Sequence, residues 1–325
     1  MFLDECRASR AVAGADPDES DARVLREWLS SRPEALFEEL REHAPTLVLG
    51  RMALVTRYAD VVDVLSRDDV FSVKPYGTAM MRINRGPNFL LGMDDGPEYQ
   101  RDLRRLRAVV RREDVDLVDG LVAARTADAL APALAVGHLD LTDGFGRLVS
   151  SLCAADYFGI TAVEPDVIMN WARDIFADGF ANVLGIPLLS RRALKAADAL
   201  RAELDGLIRH AKTSSPDGVH GDDVLHRLLA LQRHGDAALT DVQIRDMLLW
   251  CVAGMIDNVN TAVCSVVDYL LGHAEARAGA TEAARTRDLL RLQAYAREAL
   301  RFRTPTPVVT RSSRRPHVLS VGTPH

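Results

Sequence analysis

The 325-residue chain has no excess of positive charge: 40 lysines and arginines face 46 aspartates and glutamates, giving a net charge of −6. A general nucleic-acid binder, which needs a dominant basic surface, is therefore not expected. No apolar run reaches the roughly eighteen uncharged residues of a membrane span. The N-terminus, MFLDECRASRAVAGADPDES, is acidic and lacks the apolar core of a signal peptide, so a cytoplasmic protein is expected. Cysteine is scarce. Cys6, Cys153, Cys251 and Cys264 have no metal-ligand spacing such as C-x-x-C, which leaves free, buried thiols as the expectation. No phosphate-binding glycine loop, internal repeat or low-complexity tract is present.

What the chain does have is a long apolar stretch from Thr240 to Leu271. Thr240 followed by Gln243 is a capping box at a helix start, and Gly272 is a stop just past the last apolar residue. Such a helix would run about 48 Å, long enough to cross the molecule. It is apolar nearly all round, as a buried helix is. Its centre is interrupted by Gly254, Asp257, Asn258 and Thr261, whose spacings put them on one face. A glycine there lets a ligand approach the backbone, while a carboxylate, an amide and a hydroxyl could hold water or relay a proton. The plain alternative is a core helix with a few satisfied polar residues.

Residues 1–22 read as a loose, acidic arm, and residues 23–325 as a single helical domain. Pro33 to Ala44 is an amphipathic helix. Thr46 to Gly50 and Met52 to Thr56 form a hairpin about Gly50 and Arg51, and Arg57 to Arg67 returns to helical period. Residues 68–96, rich in glycine and proline, read as a long loop with an apolar side. That side either lines a pocket for a hydrophobic substrate or tucks into the core. Pro97 opens an arginine-rich helix, in which Arg101 and Arg105 lie four apart and can face a carboxylate or phosphate together. Helical spacing continues over Glu113 to Val136, His138 to Ile160, Pro165 to Leu184, Ser190 to Lys212 and Asp222 to His234, with a loop at 213–218. Ala283 to Arg303 is a last helix. It contains Glu298-Ala-Leu-Arg301 and leaves through Pro305 and Pro307 into an extended segment reaching Arg311.

An arginine-rich helix, a long helix with a central Ala253-Gly254 segment, then E-x-x-R and a proline-rich exit resembles the cytochrome P450 family of haem-thiolate monooxygenases, from about residue 30 onward. The resemblance implies a mostly α fold with a small β-sheet and haem b lying against the long helix at Gly254. It implies oxidation of a small hydrophobic substrate with dioxygen, and electrons from ferredoxin and ferredoxin-reductase partners. By position, Asp257, Asn258 and Thr261 fall in the acid and alcohol segment. Glu298 and Arg301 become a buried clamp, and Arg311 meets a haem propionate. Tyr99 with Arg101, Arg104 or Arg105 would make the other propionate contacts.

The pattern departs from the family's in three places. The long helix reads Ala253-Gly-Met-Ile-Asp-Asn-Val-Asn-Thr261 rather than A-G-x-[DE]-T-T, so acid and threonine do not adjoin, and which residue relays protons stays open. Tyr99 and Leu103 stand where the propionate helix has histidine and arginine. None of the four cysteines sits in a glycine-containing loop downstream of E-x-x-R, and the clamp's third arginine has no counterpart. The expectation is therefore a C-terminally truncated P450, inactive as it stands because no thiolate tunes the iron. The alternatives are a non-catalytic P450-like binding module and a haem enzyme that rearranges a peroxide.

Overall fold

The computed structural model describes residues 1–325 apart from 12–15, 51, 183–184, 215–220 and 320–325. It is mostly α, with two two-stranded sheets among the described residues. The chain divides into two units, Met1–Lys74 with Arg311–His325, and Pro75–Thr310.

The first unit contains α1 (Phe2–Arg10), α2 (Pro17–Ser31), α3 (Pro33–His43), the hairpin β1 (Thr46–Leu49) and β2 (Met52–Val55), and α4 (Tyr58–Ser66). A short antiparallel pair, β3 (Phe71–Ser72) with β4 (Ser312–Ser313), brings in the segment beyond the proline-rich exit. The hairpin pairs Thr46 with Val55 and Leu49 with Met52, as the alternating pattern requires. Arg51 of its turn lies outside the described residues, and so do the four C-terminal residues 322–325. The N-terminal arm is not loose where it is described. Phe2 and Cys6, one turn apart on α1, are buried in a core with Val24, Leu25, Trp28 and Leu36. The Glu39 carboxylate accepts the first free N–H groups of α1, from Phe2 at 2.7 Å and Leu3 at 3.0 Å. Two apolar anchors in a charged segment are a weak signal in sequence, but packing against α2 and α3 makes them sufficient.

The second unit opens with α5 (Lys74–Asn84), where the sequence led to a continuous loop. Pro75 fits a first helical turn. Gly77 is inside the helix because a Cβ there would lie 2.5 Å from the Gly92 carbonyl oxygen, so the two glycines let backbone pack on backbone. Met80, Ile83, Phe89 and Leu90 of this stretch are buried, so its apolar side faces the core. Then follow α6 (Pro97–Val109), α7 (Val115–Val136), α8 (Leu148–Phe158), α9 (Pro165–Phe176), α10 (Pro187–Ser214), α11 (Val224–His234), α12 (Asp241–Gly272), α13 (Ala274–Arg285) and α14 (Leu289–Phe302). Two π-helical turns, Thr142–Arg147 and Ala177–Ala181, precede α8 and follow α9. Most of the loop expected at 213–218 lies outside the described residues. The stretch expected as one helix over 283–303 is broken: Arg287 takes a left-handed φ of 56°, and Asp288 then caps α14 by accepting from the Arg291 N–H.

The core of this unit is built around α12, which packs on α8, α9 and α10 through Ile244, Leu248, Trp250, Val252 and Ile256. By length and composition α12 is the one described helix that could cross a membrane, and half of its most apolar window is buried in the unit, as befits a core helix. All four cysteines are free; Cys6 and Cys153 are buried as expected, while Cys251 and Cys264 are only half-buried.

Candidate functional site

The capping box at Thr240 is formed in both directions, so α12 starts where the sequence places it. Its centre does not present the four interrupting residues together. Asp257 is buried on the side facing the π-helical turn before α8, whereas Gly254 and Asn258 are half-buried and Thr261 is exposed. The spacings of three, four and seven keep the four within one arc of the helix, and packing separates them: Asp257, at one edge of the arc, is covered by the turn that carries Arg147. A Cβ built on Gly254 meets nothing within 4 Å, so this stripe of the core helix is open.

Asp257 Oδ1 accepts from Arg147 Nε at 3.3 Å, and Arg147 Nη1 also donates to Asp143 at 2.5 Å. The other oxygen, Oδ2, is buried without a protein partner. Burial pushes this carboxyl's pKa above the ordinary value against the pull of Arg147, so it holds a proton more readily than a surface aspartate. On the open stripe, Asn258 Nδ2 donates to the Gly254 carbonyl at 2.7 Å, and the Thr306 hydroxyl reaches Asn258 Oδ1 at 3.4 Å. The proline-rich exit from α14 therefore passes beside the centre of α12, and further along it the Thr310 N–H donates to the Tyr76 hydroxyl at 2.7 Å.

Sequence reasoning missed two residues here. Asn260 is buried one turn past Ile256, and its side-chain oxygen accepts from the Cys264 thiol at 3.6 Å while sitting where a Cβ on Gly146 would go. Arg147 lies 110 residues from Asp257, so no spacing rule could pair them. The nearest signal was Gly144-Phe-Gly146, two glycines beside a charged residue ahead of an apolar helix.

The arginine-rich helix α6 also differs from expectation. Arg101 and Arg105 do converge, but on Asp102 between them: Arg101 Nε lies 3.1 Å and Arg105 Nη1 3.0 Å from its Oδ1. Arg105 is buried and also donates to Asp236 at 2.7 Å, so its charge is committed inside the fold, and these carboxylates hold its pKa above the ordinary value. Arg104 is exposed, and Tyr99 is half-buried against the core. Arg311 belongs to the first unit.

The Glu298 and Arg301 pair is formed as two parallel hydrogen bonds of 2.9 and 2.7 Å, but both side chains are more than half exposed, at 55% and 62%. The expected buried clamp is thus an exposed ion pair among the described residues. Only Ala299 of α14 is buried, so the helix turns a narrow face inward and leaves the pair on the other. No group of histidine, cysteine, aspartate or glutamate among the described residues could hold a metal ion.

No protein-family model matches the chain. Its sequence is similar to the pulcherriminic acid synthase of Bacillus subtilis (strain 168), 24% identical over 257 residues that cover 78% of this chain and 60% of that protein. The chain thus spans about three fifths of that relative's length. Its structure is similar to that of CYP109E1 from Bacillus megaterium in complex with corticosterone, with a TM-score of 0.68 and 19% identity over 89% of this chain and 71% of that one. It is likewise similar to the cytochrome P450 enzyme CYP109B1 from Bacillus subtilis, with a TM-score of 0.65 and 16% identity over 89% and 73% of the two chains.

Proposed function

The chain has the cytochrome P450 fold, its sequence relative supports membership of that family, and from this premise we propose that it forms the α12 side of a haem-dependent monooxygenase acting on a small hydrophobic substrate. The observation that carries the proposal is the open stripe at Gly254 on an otherwise packed core helix. Haem b, when bound, would supply the oxygen-activating chemistry. Dioxygen, electrons from ferredoxin-type donors and a cytoplasmic setting complete the proposal.

The residues present fit one side of that group. Gly254 leaves room for a flat ligand; Tyr99 and Arg104 on α6 would be the hydroxyl and cation for its carboxylates, as the family resemblance implies. They do not fit its axial ligation. The Cys251 thiol is enclosed although the residue as a whole is half-buried, which pushes it up to about 12; burial also raises that of Cys153, and the Cys264 thiol donates to Asn260.

What the chain's own side chains contribute is proton handling and positioning. Asn258 is fixed between the Gly254 carbonyl and Thr306, which holds its amide in one orientation beside the open stripe. Thr261 presents its hydroxyl one turn further on, and the Asp257 carboxyl, whose burial raises its proton affinity above that of a surface aspartate, lies beside them. The separation of Asp257 from the open stripe supports a second reading, in which a peroxide is rearranged and proton delivery matters less. The natural gene product, purified with haem, should give a thiolate-type carbon monoxide band on reduction and should need reductant for turnover. A haem-loaded protein without that band would overturn the monooxygenase reading. Turnover that proceeds without reductant favours the peroxide chemistry, and failure to take up haem favours a binding module.

A further inference from the structure

Three turns before Asp257 along α12, a second aspartate is buried, and nothing in the proposed function uses it. Asp246 is 5% exposed. Its Oδ1 accepts from Arg245 Nε at 2.9 Å and lies 2.8 Å from Arg245 Nη2, while its Oδ2 is buried with no protein partner. It lies within electrostatic reach of Arg201 and Asp205 of α10, the helix that packs on α12 along this seam.

The charges around it are balanced and mostly committed. From α10, Asp205 lies 3.5 Å from Arg245, and Arg201, itself buried, donates to Asp198 and to the carbonyl of Ile83 at the end of α5. Arg85, just past α5, reaches the same Asp198 at 2.5 Å. Three arginines and three aspartates thus tie the end of α5, α10 and α12 together. The other charges near α12 act elsewhere: Asp241 at its start pairs with Lys212, while Arg147, Arg173 and Asp174, from the π-helical turn and α9, act on Asp257. No charged side chain of α11 is paired with Asp246 among the described residues.

We propose that Asp246 makes the seam between α10 and α12 proton-sensitive: protonated, it lets the seam stay dry and closed, and ionised, it makes α10 part from α12 more often so that water reaches the unpartnered oxygen. An ionised carboxylate in a dry environment with one oxygen unsatisfied is costly, and hydration relieves the cost. Burial pushes the carboxyl up to about 6, against the pull of Arg245 and Arg201 and with a further push from Asp205. In a hydrated seam it returns toward the ordinary value of 3.8. The closed form therefore binds the proton more tightly, and opening grows as pH rises from about 4 to about 6, levelling off once the closed form has also lost its proton. Trp250, one turn on, is held by Asn84 at the end of α5 through a 2.8 Å hydrogen bond, so opening also loosens the α5 contact with α12. The inference rests on this seam alone and holds whether or not the chain binds haem.

Amide hydrogen exchange of the α10 segment from Leu200 to Ile208, measured on the whole protein from pH 5 to pH 8 and corrected for the chemical exchange rate, tests it. The expected result is an opening frequency that rises about tenfold between pH 5 and pH 7 and is level from there to pH 8, the remainder of the ratio set by a shift of roughly two pH units falling below pH 5. In Asp246→Asn the profile should be flat and the segment better protected at pH 8, while Asp174→Asn, on α9, should keep the wild-type slope. A flat wild-type profile would overturn the proposal even if Asp246→Asn did not fold. An unchanged slope in a folded Asp246→Asn protein would overturn it as well.

Discussion

Replacing Arg227 by alanine should cost the second unit about 3–5 kcal/mol, the range for breaking a buried ion pair from one side. Arg227 is 6% exposed on α11. It grips Asp114, ahead of α7, through Nη1 at 2.5 Å and Nη2 at 3.1 Å, and its Nη1 also donates to the Val109 carbonyl at 2.9 Å. After truncation the buried Asp114 carboxylate keeps only the Tyr157 hydroxyl at 2.7 Å and the Arg111 N–H at 3.2 Å. The Arg227 side chain, followed by the Tyr157 and Arg111 hydrogen bonds, holds Asp114 down at about 2 against the ordinary 3.8, despite an opposing push from burial. That shift corresponds to about 2 kcal/mol at neutral pH, shared among the three donors. The truncation costs more than Arg227's share because it also strands the Val109 carbonyl and the buried carboxylate. Because the folded value is depressed, the contribution is complete above about pH 4 and fades as pH falls through about 2. Urea unfolding followed by circular dichroism should therefore show the full deficit at pH 7 and a narrowing one between pH 4 and pH 2.5. A loss below about 1 kcal/mol at pH 7, or a deficit that stays constant on acidification, would refute the reasoning.

Three further outcomes are expected. Glu298→Ala should leave the urea midpoint within error of wild type, because both members of its pair are solvated; a clear drop would mean that something covers the pair in solution. Gly77→Ala should lower stability by about 1–3 kcal/mol, since its methyl would meet the Gly92 backbone; unfolding curves that superimpose on wild type would show that the α5 contact yields. Thr261→Ala should be neutral for stability because Thr261 is exposed, and in a haem-loaded monooxygenase it should raise reductant consumption per product formed. Unaltered coupling would remove Thr261 from the proton relay.

Where local signals were dense, the sequence was legible. The capping box at Thr240, Pro33 and Pro97 at helix starts, and the alternation on either side of Gly50 each fix a boundary through neighbouring atoms, and each element lies where those signals put it. Local pattern failed where a distant partner decided. Residues 74–84 carry a proline and a glycine that normally break helices, yet they are helical because Gly92 packs against Gly77. Phe2 and Cys6 are too few to announce a helix, but the core formed with α2 and α3 needs no more.

The candidate site divides in the same way. Sequence alone determined that a long apolar helix is interrupted at Gly254, Asp257, Asn258 and Thr261, since residue type and a period of 3.6 are local properties. It also determined the order of arginine-rich helix, long helix and E-x-x-R from which the P450 resemblance follows. Only the tertiary structure decided what each polar group faces. It turned Asp257 toward Arg147, left Gly254 open, committed Arg105 to Asp102 and Asp236, and left Glu298 and Arg301 in solvent. The reason is physical: burial and charge pairing depend on what the fold brings to a side chain from far along the chain, and neither spacing nor composition records that.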